Sequence, residues 1–301
     1  MKTLRWAPAG QILLLALSTV VSPIALSIPT GASPRSESQT ASPAQLAYPG
    51  YSLVWADEFM RDGEPDPKNW TYEHGFVRNR ELQWYQRQNA RVAGGMLIIE
   101  GRRERVPNPD FQRESTEWRR SREAAEYTSS SVITRALHSW RYGRFEMRGR
   151  IDTRDGLWPA FWTLGVTGAW PHNGEIDIME YYRGILLANV AWGGAKGTNP
   201  VWAITRKPVE SFGPGWTGAF HVWRMDWDER AIVLSVDGQQ LNEVELTRTV
   251  NQDGTGINPF HQPQYLLLNL AIGGTQGGDP AKTAFPARFE VDYVRVYQRT
   301  P

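Results

Sequence analysis

Gly174-Glu-Ile-Asp-Ile-Met-Glu180 sets three carboxylates into a short apolar stretch. Side chains of a strand alternate between faces, so Glu175 and Asp177 point one way while Ile176 points into the opposite layer. Glu180 falls one residue out of that phase. A β-bulge at Ile178-Met179, where two residues oppose one on the neighbouring strand, restores the phase and brings all three acids to one surface. Two glutamates effectively four strand positions apart have α-carbons ~13 Å apart at ~3.3 Å per residue. Long side chains leaning inward close most of that gap, toward the ~5 to 5.5 Å carboxyl separation of a retaining glycosidase. The bland alternative is the polar face of an edge strand, with three acids in water. No lysine or arginine lies between Glu175 and Glu180 to relieve the repulsion such a face would carry.

Roles follow from the expected geometry. A pair of acids flanking a glycosidic bond needs one ionised nucleophile and one acid that keeps its proton until it donates to the leaving oxygen. Asp177, shorter and between them, fits neither job. It is expected to hydrogen-bond a neighbouring glutamate, orient the nucleophile and help push the two glutamate pKa values apart.

Outward from this stretch the chain reads as all-β. Met96–Glu100, Ser131–Thr134, Arg144–Ile151, Val222–Trp227, Ala231–Val236, Tyr265–Leu270 and Arg288–Tyr297 are short alternating runs bounded by turn residues. Asp237-Gly238 is a two-residue hairpin link. Ser115–Ala125 is charged and lacks an apolar face, so it reads as a long surface loop with at most one helical turn. A chain of 301 residues that is 41% hydrophobic can bury a full core as one two-sheet domain, and no internal repeat is visible. The net charge of +1 gives no sign of nucleic-acid or acidic partners. Zero cysteines exclude disulfides and thiolate chemistry, and five scattered histidines lack metal-ligand spacing.

At the N-terminus, Lys2 and Arg5 precede an apolar run from Ile12 to Leu26, broken by Pro23 and followed by Ser, Pro and Thr. This is the layout of a secretory signal peptide over residues 1–27, a Ser/Pro-rich linker over 28–49 and a catalytic domain over 50–301. The expected protein is secreted, extracellular or periplasmic, with no membrane association beyond the signal, and monomeric. An uncleaved N-terminal anchor is the competing reading.

The segment Glu175-Ile-Asp-Ile-Met-Glu180 resembles the bulged active-site signature of glycoside hydrolase family 16, found among laminarinases, agarases and carrageenases. Leu53-Val-Trp-Ala-Asp-Glu-Phe59, Arg78-Asn-Arg-Glu-Leu-Gln-Trp-Tyr85, Gly143-Arg-Phe-Glu-Met147, Gly156-Leu-Trp-Pro-Ala-Phe-Trp162 and Val291-Asp-Tyr-Val-Arg-Val-Tyr297 resemble further landmarks of that family, in its order. The resemblance implies a concanavalin A-like jelly-roll β-sandwich of two antiparallel sheets with a concave carbohydrate cleft. It implies Glu175 as nucleophile, Asp177 as its helper and Glu180 as acid/base, with no cofactor for catalysis. It further implies a structural calcium ion on the convex face, with Glu58 and Asp292 as oxygen donors; a pair of unrelated surface acids is the alternative.

Fourteen tryptophans offer flat faces on which sugars stack. Trp158 and Trp162, four apart on one strand, share a face, and the resemblance favours them over core packing as subsite platforms, with Trp170 nearby. Trp202, Trp216, Trp223 and Trp227 read equally as core or rim packing and as sugar contacts. Asn79 matches a sugar-contacting position of the family and reads equally as a turn former. Arg78 and Arg80 either pair structurally or bind substrate charge. Gly273-Gly-Thr-Gln-Gly-Gly278 is a glycine-rich loop whose backbone can approach a sugar, with Gln276 as a hydroxyl partner. Many laminarinase-like relatives carry tryptophan at Gln276 and histidine on the strand after the catalytic one. Here Asn189 or Trp192 takes that space. The first expectation is therefore a retaining endo-glycosidase acting on β-1,3- or mixed-linkage β-glucan. A red-algal galactan substrate, a transglycosylase and a catalytically weak carbohydrate-binding protein are the alternatives.

Overall fold

Alternation with a period of two is obeyed closely in the folded chain. The computed structural model describes residues 48–300 other than 196 and 198, so the expected signal peptide and all but the end of the expected linker lie outside the described residues. Strand Glu175–Tyr182 buries Ile176, Ile178, Met179 and Tyr181 in the core and turns Glu175, Asp177 and Glu180 into a cleft.

Two antiparallel sheets stack as a jelly roll. The cleft sheet runs in the order Pro200–Pro208, Ile185–Gly193, Glu175–Tyr182, Leu157–Gly165, Gln264–Ile272, Ser131–Ile133, Thr71–Tyr72. The second sheet runs Gln239–Glu245, Ala231–Val236, His221–Trp227, Gly143–Arg150, Ala287–Arg299, Met96–Gly101, Ala90–Ala93, and Tyr51–Asp57 also pairs with Ala287–Arg299. Each expected strand is present, its ends moved by a residue or two. Phe161, Val190, Leu266 and Leu268 from the cleft sheet meet Phe145, Met147, Trp223 and Val294 from the other in one continuous core. Each such side chain contributes roughly 1.5–3 kcal/mol on burial. Trp223 and Trp227 belong to this core.

One local outcome differs from expectation and one agrees with it. The glycine-rich loop contains one helical turn, Gly274–Gly277, between Gly273 and Gly278, both at positive φ. The charged stretch before Ala124 forms no helix. It is an arginine brace instead: Arg119 donates to the carbonyls of Phe76 and Val77, and Arg122 to those of Arg80 and Glu81. That brace fixes the segment which carries Arg78, Asn79 and Glu81 to the cleft.

Candidate active site

The expected bulge fixes the site. Asp177 pairs with Asn189 and Glu180 with Leu187, so three steps on the catalytic strand match two on its neighbour. The same slip appears on the other side, where Met179 faces Phe161 and Asp177 faces Trp162. Ile178 and Met179 both reach the core as a result, and the acid row regains its phase. Gly174 delivers the strand. Its φ is +76°, and a Cβ there would meet Phe260 Cε1 and Pro259 Cβ at 2.9 Å, so only glycine fits.

Each outer glutamate receives an indole N–H. Trp170 Nε1 donates to Glu175 Oε2 at 2.8 Å, and Trp158 Nε1 donates to Glu180 Oε1 at 2.7 Å. Asn189 Nδ2 donates to Glu180 Oε2 at 3.2 Å and stands 3.4 Å from Asp177 Oδ2. Of the two residues expected beside Glu180, Asn189 is the one that hydrogen-bonds it. The expected bond from Asp177 to a neighbouring glutamate is not formed among the described residues.

Burial dominates the electrostatics. It pushes the Glu175 carboxyl up to about 7, helped by the charge of Glu180 and opposed by Arg78 and the Trp170 bond. Glu180 is likewise pushed up to about 7 by burial, against the Trp158 bond, Arg206 and Asn189. Burial and both glutamates raise Asp177 well above the usual carboxylate range. The environments do not separate the glutamates, contrary to expectation; their interaction does. Ionising one makes ionising the other harder.

The cleft encloses about 530 Å³. Asn79 and Gln276 line it, as expected, and Asn79 donates to Glu81 at 3.3 Å from a left-handed backbone. Trp158 and Trp162 also line it, yet both are more than nine-tenths buried, and the Arg78 guanidinium lies 4.9 Å from the Trp162 ring centroid. Trp162 spends its N–H on Asn269. These two indoles form the floor and orient polar groups, and the rings left open to a sugar face are Trp170 and Trp202, 41% and 37% exposed.

Trp192 is a correction. It sits in the core, on the opposite face of Ile185–Gly193 from Leu187 and Asn189, because three positions along an unbulged strand reverse the side. Glu58 and Asp292 also depart from expectation. Both Glu58 oxygens accept from Arg295, and Asp292 accepts from Arg148. Two guanidiniums already neutralise the pair, so this donor set does not fit a dication. Residues that sequence reasoning passed over are Glu81, Tyr182, Asn269 and, beside Trp202, the wall residues Ile204 and Arg206; of the tryptophans left open between packing and sugar contact, Trp202 is the one that lines the cleft. Burial alternates along Pro200–Pro208 and leaves Trp202, Ile204 and Arg206 on the exposed side, but the apolar residues Val201, Trp202, Ala203 and Ile204 run consecutively, so no such alternation is visible in the sequence.

Two buried carboxyl groups on the floor of a cleft, both with pKa values raised by burial, on the outer face of a jelly-roll sheet, define a glycoside-cleaving enzyme. The model of the family described as glycosyl hydrolases family 16 matches residues 108–295. The chain belongs to that family. The β-glucanase of Rhodothermus marinus is 38% identical over 272 residues, covering 83% of this chain and 86% of the relative. A solved structure from work on endo-acting O-glycanases with which human gut bacteria initiate mucin breakdown has a TM-score of 0.76 at 32% identity, covering 83% of this chain and 92% of its own. A family 16 non-specific endo-β-1,3(4)-glucanase co-crystallised with 1,3-β-D-cellotriosyl-glucose has a TM-score of 0.68 at 35% identity, covering 83% and 95%.

Proposed function

We propose that this chain is a secreted, monomeric, retaining endo-glucanase that hydrolyses internal bonds of a β-1,3- or mixed β-1,3-1,4-glucan, with a signal peptide over 1–27 and a linker over 28–49 ahead of the catalytic domain. The observation that carries the reading is the bulge, which turns Glu175 and Glu180 into one groove with separate indole donors. The names of the relatives support the glucan.

In the proposed cycle the Glu175 carboxylate attacks the anomeric carbon while Glu180 gives its proton to the departing oxygen. The glycosidic bond breaks and a glycosyl ester forms on Glu175. Glu180, now ionised, takes a proton from water as that water displaces Glu175, and two inversions give net retention. Arg78 and the Trp170 N–H favour the ionised Glu175. Burial favours the proton on Glu180. The names of endo-acting glucanase relatives support an endo mode, and the chemistry requires no cofactor.

The test is a panel of laminarin, mixed-linkage glucan, agar and carrageenan, with product sizing and NMR of the first-formed anomer. Oligosaccharides of β configuration from the glucans are expected. An α anomer would overturn retention, and products from galactans alone would overturn the substrate. Trp202 stands on the same rung as Glu175, through Ala191. Trp202→Ala is expected to raise KM roughly tenfold through loss of a stacking face, with kcat changed less than about threefold; steady-state kinetics on laminarin check it.

A further inference from the structure

A second cavity, of about 510 Å³, adjoins the cleft, and Thr275 lines both. Its wall carries Arg80 and Arg183. Arg183 lies three residues beyond Glu180 on the chain, so the cavity adjoins the acid/base end of the cleft. Both arginines are exposed, and among the described residues neither guanidinium meets a carboxylate. Arg122 backs them: its Nη2 donates to the Arg80 carbonyl at 2.8 Å, and its charge and that of Arg80 repel. Arg206, on the cleft wall, adds a cation near Glu180. The acid on the cavity wall is Asp279, whose Oδ1 already accepts from the Ala281 N–H at 2.9 Å.

Local backbone preference opposes this placement of charge. Arg80 has φ +52° and Arg183 φ +49°. Arg183-Gly184 links Tyr182 to Ile185 as a two-residue hairpin turn, where asparagine or glycine is favoured at the first position. A side chain such as arginine is strained in the left-handed region, where its Cβ crowds the following carbonyl oxygen. Two long cations therefore stand at positions that suit short polar residues, facing one cavity.

We propose that this cavity is a subsite for an anionic substituent, a sulfate ester or a carboxylate, carried by a sugar bound at the Glu180 end of the cleft. Planar guanidinium forks match both oxyanions. The inference rests on the glycanase reading of the cleft and adds a charged substituent to its substrate class.

The test compares the wild type with Arg80→Asn/Arg183→Asn, a pair of changes that removes both charges and suits the left-handed backbone, so a folded protein with an unchanged or higher Tm is expected. Substrates are a β-1,3-glucan and its sulfated and carboxymethylated derivatives. The double variant is expected to lose at least about tenfold in kcat/KM on one derivative relative to the parent polymer, with activity on the parent unchanged. Salt at about 1 M, where the screening length is about 3 Å, abolishes the wild type's advantage. The derivative showing the larger loss identifies the oxyanion. An unchanged ratio of derivative to parent in the double variant overturns the subsite and leaves the glycanase standing. Where the wild type cleaves none of these polymers, the glucanase reading fails and affinity electrophoresis still decides the subsite. Retardation by an anionic polymer that the double variant loses supports it, and equal retardation of both proteins overturns it.

Discussion

Glu175→Gln is expected to abolish turnover with every substrate, by about 10⁴-fold or more, whereas the loss in Glu180→Gln depends on the leaving group. Glutamine preserves shape and can still accept from Trp170 or Trp158, so neither change opens a hole in the cleft. Without Glu175 no covalent ester forms, and a better leaving group cannot help. Without the Glu180 proton, a natural glucan must leave as an alkoxide, and a loss of roughly 10²–10⁴-fold is expected. A dinitrophenyl glycoside leaves without that proton, so its glycosylation step survives in Glu180→Gln. The ester then accumulates, because no base activates water. Azide, which needs no base, attacks the anomeric carbon and releases the Glu175 carboxylate, giving a β-glycosyl azide. Burst kinetics and NMR of the azide product check this. Azide rescue of Glu175→Gln with a β product, or none of Glu180→Gln, would reverse or remove the assigned roles.

The acid row was legible because its determinants are local. A period of two, one phase break and the Ile178-Met179 insertion suffice to place three carboxylates on one face, and the pairing of Asp177 with Asn189 and Glu180 with Leu187 has that form. The choice between Asn189 and Trp192 was left open, although the spacing bears on it. They are three apart on a strand without a second bulge, so one had to face inward, and the larger apolar ring does. What the sequence withheld is tertiary. Arg295 and Arg148 reach Glu58 and Asp292 from strands that nothing local connects to them. Trp162 has the spacing of a sugar platform, but Arg78, from a distant segment, covers its ring. Trp202, Ile204 and Arg206 share one side of a strand whose apolar residues run consecutively, so its pattern cannot say which face meets the cleft. A strand's pattern tells which residues share a side; the neighbouring strands decide what that side touches.

The acids assigned to the proposed chemistry are also expected to weaken the fold above neutral pH, an expectation of opposite sign to the loss of activity. Both glutamates are raised from an ordinary value of 4.5 to about 7 in the folded protein, chiefly by burial. Between those values the folded state holds more protons than the unfolded chain, so stability falls as pH rises through the window. The penalty is complete above about pH 7 and absent below about pH 4. Glu175→Gln removes a charge that is costly to bury, and relieves Glu180 of a neighbouring anion. At pH 8 that variant is expected to be more stable than the wild type by about 1 to 3 kcal/mol, or about 3 to 8 °C in Tm. At pH 4 the two proteins should melt together. Glu180→Gln should behave alike, and the double variant should gain less than the sum of the single gains, because each change already removes the repulsion between the pair. Thermal melts at both pH values decide the matter. A gain at pH 8 that persists undiminished at pH 4, or a loss at pH 8, would show that packing governs the effect, and that the two carboxyl groups are not raised by burial as the proposed mechanism requires.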